Sequence, residues 1–168
     1  MKKEQILFDE SQRFNQWWIW AIILGAMGVS IYVNIQAIQL QESLFNWTIL
    51  SLIIPGLLIP CLFYFLMLKT RIETNGIYVR FIPFHSKEIF IAWDQLASCY
   101  IRTYSPLDEY RGWGIKYGLG GAGKVYNVSG YQGLQLVFTN GSRLLIGTKK
   151  PTELQEVINQ LGLFQTNK

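Results

Sequence analysis

Residues 71–81 read RIETNGIYVRF, in which Asn75-Gly76 separates two runs of alternating apolar and polar residues. This pattern is the strongest short-range signal for a β-hairpin. Residues 134–147 (LQLVFTNGSRLLIG) repeat it around Asn140-Gly141. Between the two hairpins lie further runs rich in Ile, Tyr, Phe and Trp, which favour strands. From about residue 70 onward the chain is therefore predicted to be rich in antiparallel strands.

A helix is predicted at the C-terminal end, in residues 149–162 (KKPTELQEVINQLG). Its apolar residues recur at helical spacing, Pro151 suits the first turn, and Gly162 would end the helix. An amphipathic helix can close the open corner of a strongly bent antiparallel sheet. About seven antiparallel strands capped by this helix would form a β-barrel of the pleckstrin-homology (PH) type. Other small barrels are consistent with the same pattern.

The first 68 residues have a different composition. No charged residue occurs between Arg13 and Glu42, or between Glu42 and Lys69. The two apolar windows, at about residues 17–38 and 47–68, are each long enough to cross a bilayer as a helix, which takes ~20 residues. Neither window has the polar face expected of a buried helix in a soluble protein. The sequence therefore predicts an N-terminal two-helix transmembrane hairpin.

The distribution of basic residues predicts the orientation of this hairpin. Lys and Arg precede the first window and follow the second, whereas the connector between them has neither. By the positive-inside rule, both termini are predicted to face the cytoplasm, which makes the chain a predicted multi-pass membrane protein. Three regions follow: a cytoplasmic N-terminal tail (1–16), the transmembrane hairpin (17–68) and a cytoplasmic domain (69–168). The predicted fold class is membrane-anchored α+β.

The C-terminal region resembles a bacterial family of membrane-anchored PH-like proteins, most of them uncharacterised. The resemblance covers residues 70 to 162 and consists of a GWGI segment, a glycine-rich loop, a YNVSG turn, a hairpin with an Asn-Gly tip, and an IG-x-x-x-P entry to the last helix. It implies a PH-like fold and a location in the bacterial inner membrane, and it leaves the biochemical role open. The signature residues in this chain are Gly112, Trp113, Gly114, Tyr126, Asn127, Gly130, Gly147 and Pro151.

The glycine-rich stretch GLGGAGKV, residues 118–125, matches two phosphate-binding patterns, G-x-G-x-x-G and G-x-x-x-x-G-K. Both patterns require a helix directly after the loop, and the second requires Ser or Thr after the lysine. Val125 takes that position, and the following residues alternate as in a strand. We therefore predict a hairpin loop that serves as a contact surface, with nucleotide binding as the disfavoured alternative.

No catalytic or metal-binding set is recognisable in the sequence. The single histidine, His85, follows Pro83 and Phe84 at a predicted turn, and the two cysteines, Cys61 and Cys99, lie too far apart in the predicted organisation to form a disulfide or a zinc site. We expect His85 to be a turn residue and both cysteines to be packing residues. The protein is predicted to be non-enzymatic and to use no cofactor or metal.

Charge favours a partner at the membrane surface. Residues 69–168 contain 12 Lys and Arg against 7 Asp and Glu, and each Lys or Arg near an anionic leaflet gains roughly 1 kcal/mol. The dispersed positions argue against nucleic acid, and ordinary solubilising charges are the alternative to lipid contact. The candidate lipid or partner contacts are Lys69, Arg71, Arg111, Lys116 and Lys124.

The sequence thus predicts a membrane-anchored interaction or scaffold protein. Its domain would contact an unidentified membrane protein or further copies of itself, because exposed sheet edges pair readily when tethering raises their local concentration. The alternative is recognition of anionic lipid headgroups by the basic loops of the PH-like domain.

Overall fold

A computed structural model describes residues 5–39 and 54–162 of the chain. The chain forms two compact units. A helical unit comprises Phe14–Leu66, and a β unit comprises Met1–Arg13 together with Met67–Lys168. The architecture is α+β, as predicted.

The helical unit begins with α1, Trp17–Gln39. Its 23 residues give a length of about 34 Å, which exceeds the ~30 Å hydrocarbon core of a bilayer. Most of its large apolar side chains are exposed, including Ile22, Leu24 and Val29. Within the described residues, α1 is the one helix that is long and apolar enough to cross a membrane.

The second predicted span, 47–68, lies partly outside the described residues. Its described part consists of a π-helical turn, Ile54–Leu58, and a short helix α2, Ile59–Phe65. The chain then enters a strand at Met67, so the predicted span extends two residues too far. Leu68 is fully buried in the β unit. The sequence alone does not distinguish an apolar residue in a buried strand from one in a membrane helix, so the predicted span includes Leu68.

The first sheet contains four antiparallel strands in sequence order. They are β1 (Ile6–Arg13), β2 (Met67–Glu73), β3 (Gly76–Ile82) and β4 (Ile89–Ala92). The hairpin predicted at Asn75-Gly76 is confirmed as the β2–β3 connection. Gly76 is the first residue of β3, where it pairs with Glu73, so the two-residue turn is Thr74-Asn75.

Strand β1 lies in a segment that the sequence analysis treats as a tail outside the domain. It pairs along the whole of β2, from Ile6 opposite Glu73 to Arg13 opposite Met67. The domain therefore includes residues on both sides of the helical unit. The sequence gives little indication of this strand, because two of its inward residues, Glu10 and Gln12, are polar.

The second sheet contains five strands in the order β5-β8-β9-β7-β6. A short 3-10 turn, Trp93–Gln95, separates β4 from β5, and β5 pairs with β8. The five strands are β5 (Leu96–Thr103), β6 (Gly114–Tyr117), β7 (Lys124–Asn127), β8 (Gln132–Phe138) and β9 (Arg143–Gly147).

The strands do not form the predicted closed antiparallel barrel of about seven strands. The described residues contain nine strands in two separate sheets, and β7 pairs with β9 in parallel. The difference has a local cause: the β6–β7 hairpin adds to the outer side of β9, while β8 and β9 form their own hairpin at Asn140-Gly141, as predicted. The sequence pattern identifies strands but does not specify this pairing order.

The C-terminal helix is confirmed as α4, Pro151–Leu161, and ends at Gly162. It buries Leu154, Val157 and Ile158 and packs on strands β5, β8 and β1. Strand β1 therefore contacts the last helix as well as the first sheet.

Two side chains of β1 bind the far end of β9 and the residues after it. The Glu10 carboxylate accepts hydrogen bonds from the Thr148 hydroxyl, at 2.7 Å, and from the Lys149 backbone N–H, at 2.8 Å. Gln12 donates from Nε2 to the Gly147 carbonyl oxygen, at 2.7 Å. Both side chains are buried, so these bonds connect the two sheets in the interior.

Replacing Glu10 with Ala should lower the free energy of unfolding by about 2–4 kcal/mol, because two hydrogen bonds to a buried carboxylate are lost and the Thr148 hydroxyl is left without its acceptor. Ser11→Ala, at the exposed neighbouring position, is the control and should change stability by less than about 0.5 kcal/mol. Thermal unfolding of the detergent-solubilised chain measures both. Equal stability of the two variants would contradict the interior role of Glu10.

Candidate interaction site

The glycine-rich stretch is the loop of the β6–β7 hairpin. The Gly118 N–H donates to the Gly123 carbonyl, at 2.7 Å, and the Ala122 N–H donates to the Leu119 carbonyl, at 3.1 Å. The loop leads into strand β7, as predicted, and a strand presents no helix N-terminus to a phosphate. Neither phosphate-binding pattern therefore has its required structural context.

Close packing requires glycine at position 118. A Cβ atom placed there would lie 2.6 Å from the Ala122 Cβ and 2.7 Å from the Tyr110 ring. The loop backbone thus lies directly on Tyr110, which belongs to a short helix α3, Pro106–Tyr110. No sequence pattern predicted this helix. Its N-cap is Ser105, whose side chain accepts from the Asp108 N–H.

A network of polar side chains holds the glycine-rich loop in place. Arg102 on β5 makes two hydrogen bonds to the Glu109 carboxylate, at 3.1 and 2.7 Å, and a third to the Tyr110 hydroxyl, at 3.1 Å. The Tyr110 hydroxyl in turn donates to the Ala122 carbonyl, at 3.2 Å. The Leu119 N–H donates to the Glu109 carbonyl, at 3.0 Å. The loop is therefore hydrogen-bonded to α3 at two points.

The electrostatics of this network follow from the same contacts. The hydrogen bond from Arg102 lowers the pKa of Glu109, so the carboxylate stays ionised and keeps its pairing at neutral pH. Burial raises the pKa of Tyr110, which keeps its hydroxyl protonated as a donor. These residues were not predicted from the sequence. The only sequence signal is the Ser105 cap followed by Glu109, which is too common to indicate a loop anchor.

Tyr110→Phe should lower the free energy of unfolding by about 1–2 kcal/mol, because it removes the hydroxyl that joins Arg102 to the loop. The amide protons of Leu119 and Ala122 should also exchange faster. Tyr100→Phe is the matched control, since Tyr100 is more exposed and lies on the same strand as Arg102. If the loop amides exchanged at the wild-type rate in Tyr110→Phe, the hydroxyl would not be the loop anchor.

Several residues of the family-like signature make hydrogen bonds or packing contacts in the β unit. The Asn127 side chain accepts from the Gly114 N–H, at 2.8 Å, and donates to the Tyr104 hydroxyl, at 3.1 Å. It therefore joins the GWGI segment to the YNVSG segment. Gly147 packs against Asn127, since a Cβ at this glycine would lie 3.0 Å from the Asn127 Cβ. Tyr126 is buried, and Pro151 lies in the first turn of α4.

An open cavity of about 500 Å³ lies between the glycine-rich loop and the tip of the β8–β9 hairpin. Its walls include Tyr117, Phe138 and Leu144, and two cations, Lys124 and Arg143, line it. Neither cation forms a salt bridge with a carboxylate in residues 5–39 or 54–162. Because Lys124 is opposite Leu144 in the parallel β7–β9 pair, the neighbouring Arg143 side chain points to the other face of the sheet. The cavity therefore combines apolar walls with the positive charge of Lys124.

Aromatic rings position Lys124 in this cavity. Its Nζ lies 4.9 Å from the centre of the Tyr126 ring and 5.7 Å from that of Tyr117. A hydrogen bond with the Tyr126 hydroxyl raises the pKa of Lys124, so the ammonium group stays charged. These contacts limit the motion of the side chain and leave its charge available to an anion.

The structure brings together only some of the five predicted contact residues. Arg111, Lys116 and Lys124 lie in, or directly before, the β6–β7 hairpin, whereas Lys69 and Arg71 lie on β2 in the other sheet. Arg71 already forms salt bridges with Glu73, at 2.9 Å, and Glu88, at 3.0 Å. Arg143, which is not among the five predicted residues, follows the β8–β9 turn and also lines the cavity.

His85 is a turn residue, as predicted. Its Nδ1 accepts from the Phe81 N–H, at 3.1 Å, and its backbone carbonyl accepts from the Arg80 side chain, at 3.1 Å. Burial, and to a smaller extent the nearby Lys124 charge, lower the pKa of His85 below 6.5. The unfolded chain therefore binds a proton more readily than the folded chain does in the window just below pH 6.5.

The protein should consequently lose stability as the pH falls through this window, because proton binding favours the unfolded state and removes the Nδ1 acceptor. His85→Asn, whose side-chain oxygen can replace that acceptor, should lose less stability over the same range. Thermal midpoints at about pH 5 and pH 7.5 measure the difference. A wild-type midpoint that falls no more than that of His85→Asn would contradict this prediction.

No group of three or more His, Cys, Asp or Glu in the described part of the chain could hold a metal ion. Comparison of the chain with protein-family models, curated proteins and solved structures gave no match. The resemblance to membrane-anchored PH-like proteins therefore stays a prediction from the sequence motifs.

Proposed function

We propose that this chain is a membrane-anchored, non-enzymatic interaction protein. The apolar segment forms a two-helix hairpin in the bacterial inner membrane. The β unit, with both termini, lies on the cytoplasmic side and contacts a membrane-protein partner or a second copy of the chain. In this proposal the β unit has a PH-like fold.

The pairing of β1 with β2 carries the anchoring part of the proposal. Arg13, at the end of β1, is opposite Met67, at the start of β2. Opposite residues in an antiparallel pair have Cα atoms only about 4.5–5.5 Å apart. The segment between them must therefore begin and end at one place on the β unit. If α1 crosses a bilayer, the chain has to cross back before Met67, which supports a hairpin with two spans.

The element order supports the PH-like assignment. Four antiparallel strands in sequence order are followed by a second sheet and by a terminal helix that packs on strands of both sheets. The arrangement differs from the expected barrel because the two sheets stay separate and the β6–β7 hairpin widens the second. In this assignment the membrane segment interrupts the first β-hairpin of the domain.

Exposed apolar side chains on the β unit support a role in contacts with other proteins. Large apolar groups on a soluble surface mark interaction sites when they lie together. Strand β4, at one edge of the first sheet, exposes two of them. The exposed large apolar residues of this unit include Phe84, Ile89, Phe90, Leu107, Tyr117 and Leu119.

Photo-crosslinking in intact cells tests the proposal. A photoreactive phenylalanine analogue at Phe90 or Tyr117 should give protein adducts, either with a second copy or with a partner. Glu156 on α4, also exposed, is the control position and should give few. A reporter fused after Lys168 should be active only in the cytoplasm. An external reporter would overturn the topology, and adducts with lipid alone would favour the lipid-headgroup alternative.

A further inference from the structure

We propose that the exposed face of the first sheet binds the phosphate group of an anionic phospholipid through Lys69 and Arg80, with Arg13 beside them. The proposal rests on the anchoring part of the proposed function and goes beyond it, because it assigns a lipid ligand to the β unit. The bound lipid would give the β unit a second attachment to the membrane, in addition to the helices.

Strand pairing brings two cations together on this face. Lys69 on β2 is directly opposite Arg80 on β3, and Arg13 on β1 is the diagonal neighbour of Lys69. Opposite residues of an antiparallel pair share a face and have Cα atoms about 4.5–5.5 Å apart. The face is the outer one, because the adjacent Leu68 and Phe81 are buried. Like charges directly opposite each other destabilise a sheet, and an anion bound between them would remove this repulsion.

The Arg80 guanidinium is held in place by the turn that follows β3. Its Nε donates to the His85 carbonyl oxygen, at 3.1 Å. Within residues 5–39 and 54–162, its Nη1 and Nη2 donate no hydrogen bond. Two N–H groups of one guanidinium can bind two oxygens of a phosphate in parallel. Because the side chain is already positioned, it loses little freedom when it binds an anion.

The acidic side chains of this face are associated with Arg71. Glu88 continues the β3–β4 register opposite Arg80, but its carboxylate binds Arg71, at 3.0 Å. Asp9, the exposed acid of β1, is also opposite Arg71. Lys69 and Arg80 form no salt bridge in the described part of the chain. Their charges are therefore available to an external anion.

The chain connections favour a lipid as the source of the phosphate. Lys69 comes four residues after Phe65, the end of α2, and Arg13 comes four residues before Trp17, the start of α1. Four residues span at most about 14 Å, and lipid headgroups extend about 5–8 Å beyond the hydrocarbon core. If both helices cross the bilayer, long cationic side chains at these positions can reach the headgroups. Arg80 is not next to a helix in the sequence and joins the site only through its pairing with Lys69.

The test measures thermal unfolding of the full chain in a neutral detergent, titrated with phosphatidylglycerol. A ligand that binds the folded protein raises the midpoint as its concentration increases. Lys69→Ala and Arg80→Ala should each weaken the apparent affinity for phosphatidylglycerol about fivefold, because each removes one charge that contacts the headgroup. Lys116→Ala, on β6 in the second sheet, makes the same charge change and should leave this affinity unchanged.

Lys69→Glu separates lipid binding from folding. A glutamate opposite Arg80 can form a cross-strand salt bridge, so the midpoint without lipid should rise. The response to phosphatidylglycerol should nevertheless be lost, because the new carboxylate occupies Arg80 and repels the headgroup. A lipid response of wild-type size in this variant would overturn the inference.

Phosphatidylcholine and inorganic phosphate distinguish the sources of the phosphate group. At the concentration that saturates the effect of phosphatidylglycerol, neither should raise the midpoint. A rise with inorganic phosphate that depends on Lys69 and Arg80 would assign the site to a free anion and overturn the lipid. Equal weakening by Lys116→Ala would assign the effect to the overall charge of the domain.

The reporter fused after Lys168 keeps this result separate from the proposed function. A cytoplasmic reporter together with no response to phosphatidylglycerol would leave the proposed function standing while this inference fails. An external reporter would overturn the anchoring on which both depend.

Discussion

Replacement of residues 14–66 with a two-residue Asn-Gly turn is expected to give a water-soluble protein that retains the complete β unit. Arg13 and Met67 are opposite each other in the first sheet, and an Asn-Gly turn is the favoured connection for two such strands. The protein should be monodisperse in gel filtration without detergent and should unfold cooperatively. Its only cysteine would be Cys99, because Cys61 is removed with the helices.

Alkylation of Cys99 reports on the folding of this protein. The thiol is buried, and burial raises its pKa to about 12, so the folded protein should react very slowly at neutral pH. Addition of denaturant should expose the thiol and restore normal reactivity. Rapid alkylation without denaturant would show that the helical segment is needed for the β unit to fold.

A chain that begins at Met67 is the decisive comparison, and we expect it not to fold. Loss of β1 removes the buried ring of Phe8, which is worth about 3–5 kcal/mol. It also removes the bonds of Glu10 and Gln12, each worth about 1–3 kcal/mol. These losses together approach the whole stability of a small domain, about 5–15 kcal/mol. A stable, cooperatively folded chain without β1 would show that the β unit does not need this strand to fold.

Gly123→Ala should lower the free energy of unfolding by about 2–5 kcal/mol. Gly123 has a φ of +82°, and a Cβ there would overlap the Arg143 carbonyl oxygen on the neighbouring strand β9. The left-handed conformation costs an L-residue about 1–2 kcal/mol, and the overlap adds about 1–3 kcal/mol. Since β7 pairs with β9 at this point, the backbone cannot move away without breaking the parallel ladder.

Gly120→Ala separates these two contributions. Gly120 also has a positive φ, +60°, but a Cβ there would meet no atom within 4 Å. It should therefore cost only about 1–2 kcal/mol. Denaturant unfolding of the soluble protein, or thermal unfolding of the full chain in detergent, measures both variants. Equal losses of stability in the two variants would show that the overlap with the Arg143 carbonyl oxygen contributes nothing. Contact between the loop and β9 would then not shape the cavity.

Local sequence patterns predicted several elements correctly. Helix α1, the hairpins near Asn75-Gly76 and Asn140-Gly141, and helix α4 each follow from a short run of residues whose periodicity matches one secondary structure. The rejection of a phosphate loop after Gly118 has the same basis, because the residues that follow alternate as in a strand. In these cases the burial of apolar side chains determines the structure, and apolar periodicity is visible within one element.

The remaining features depend on partners that are distant in sequence. Glu10 and Gln12 can be buried on the edge strand β1 only because Thr148, Lys149 and Gly147 supply their hydrogen bonds, more than 130 residues away. The position of Lys124 beside Leu144 at one cavity likewise depends on the parallel contact of β7 with β9. A polar residue can be buried only where its partner lies, so its environment cannot be inferred from its neighbours in the chain. The sequence by itself determined the apolar helix, the hairpins and the terminal helix, whereas the tertiary structure decided the role of β1, the two-sheet arrangement and the composition of the candidate site.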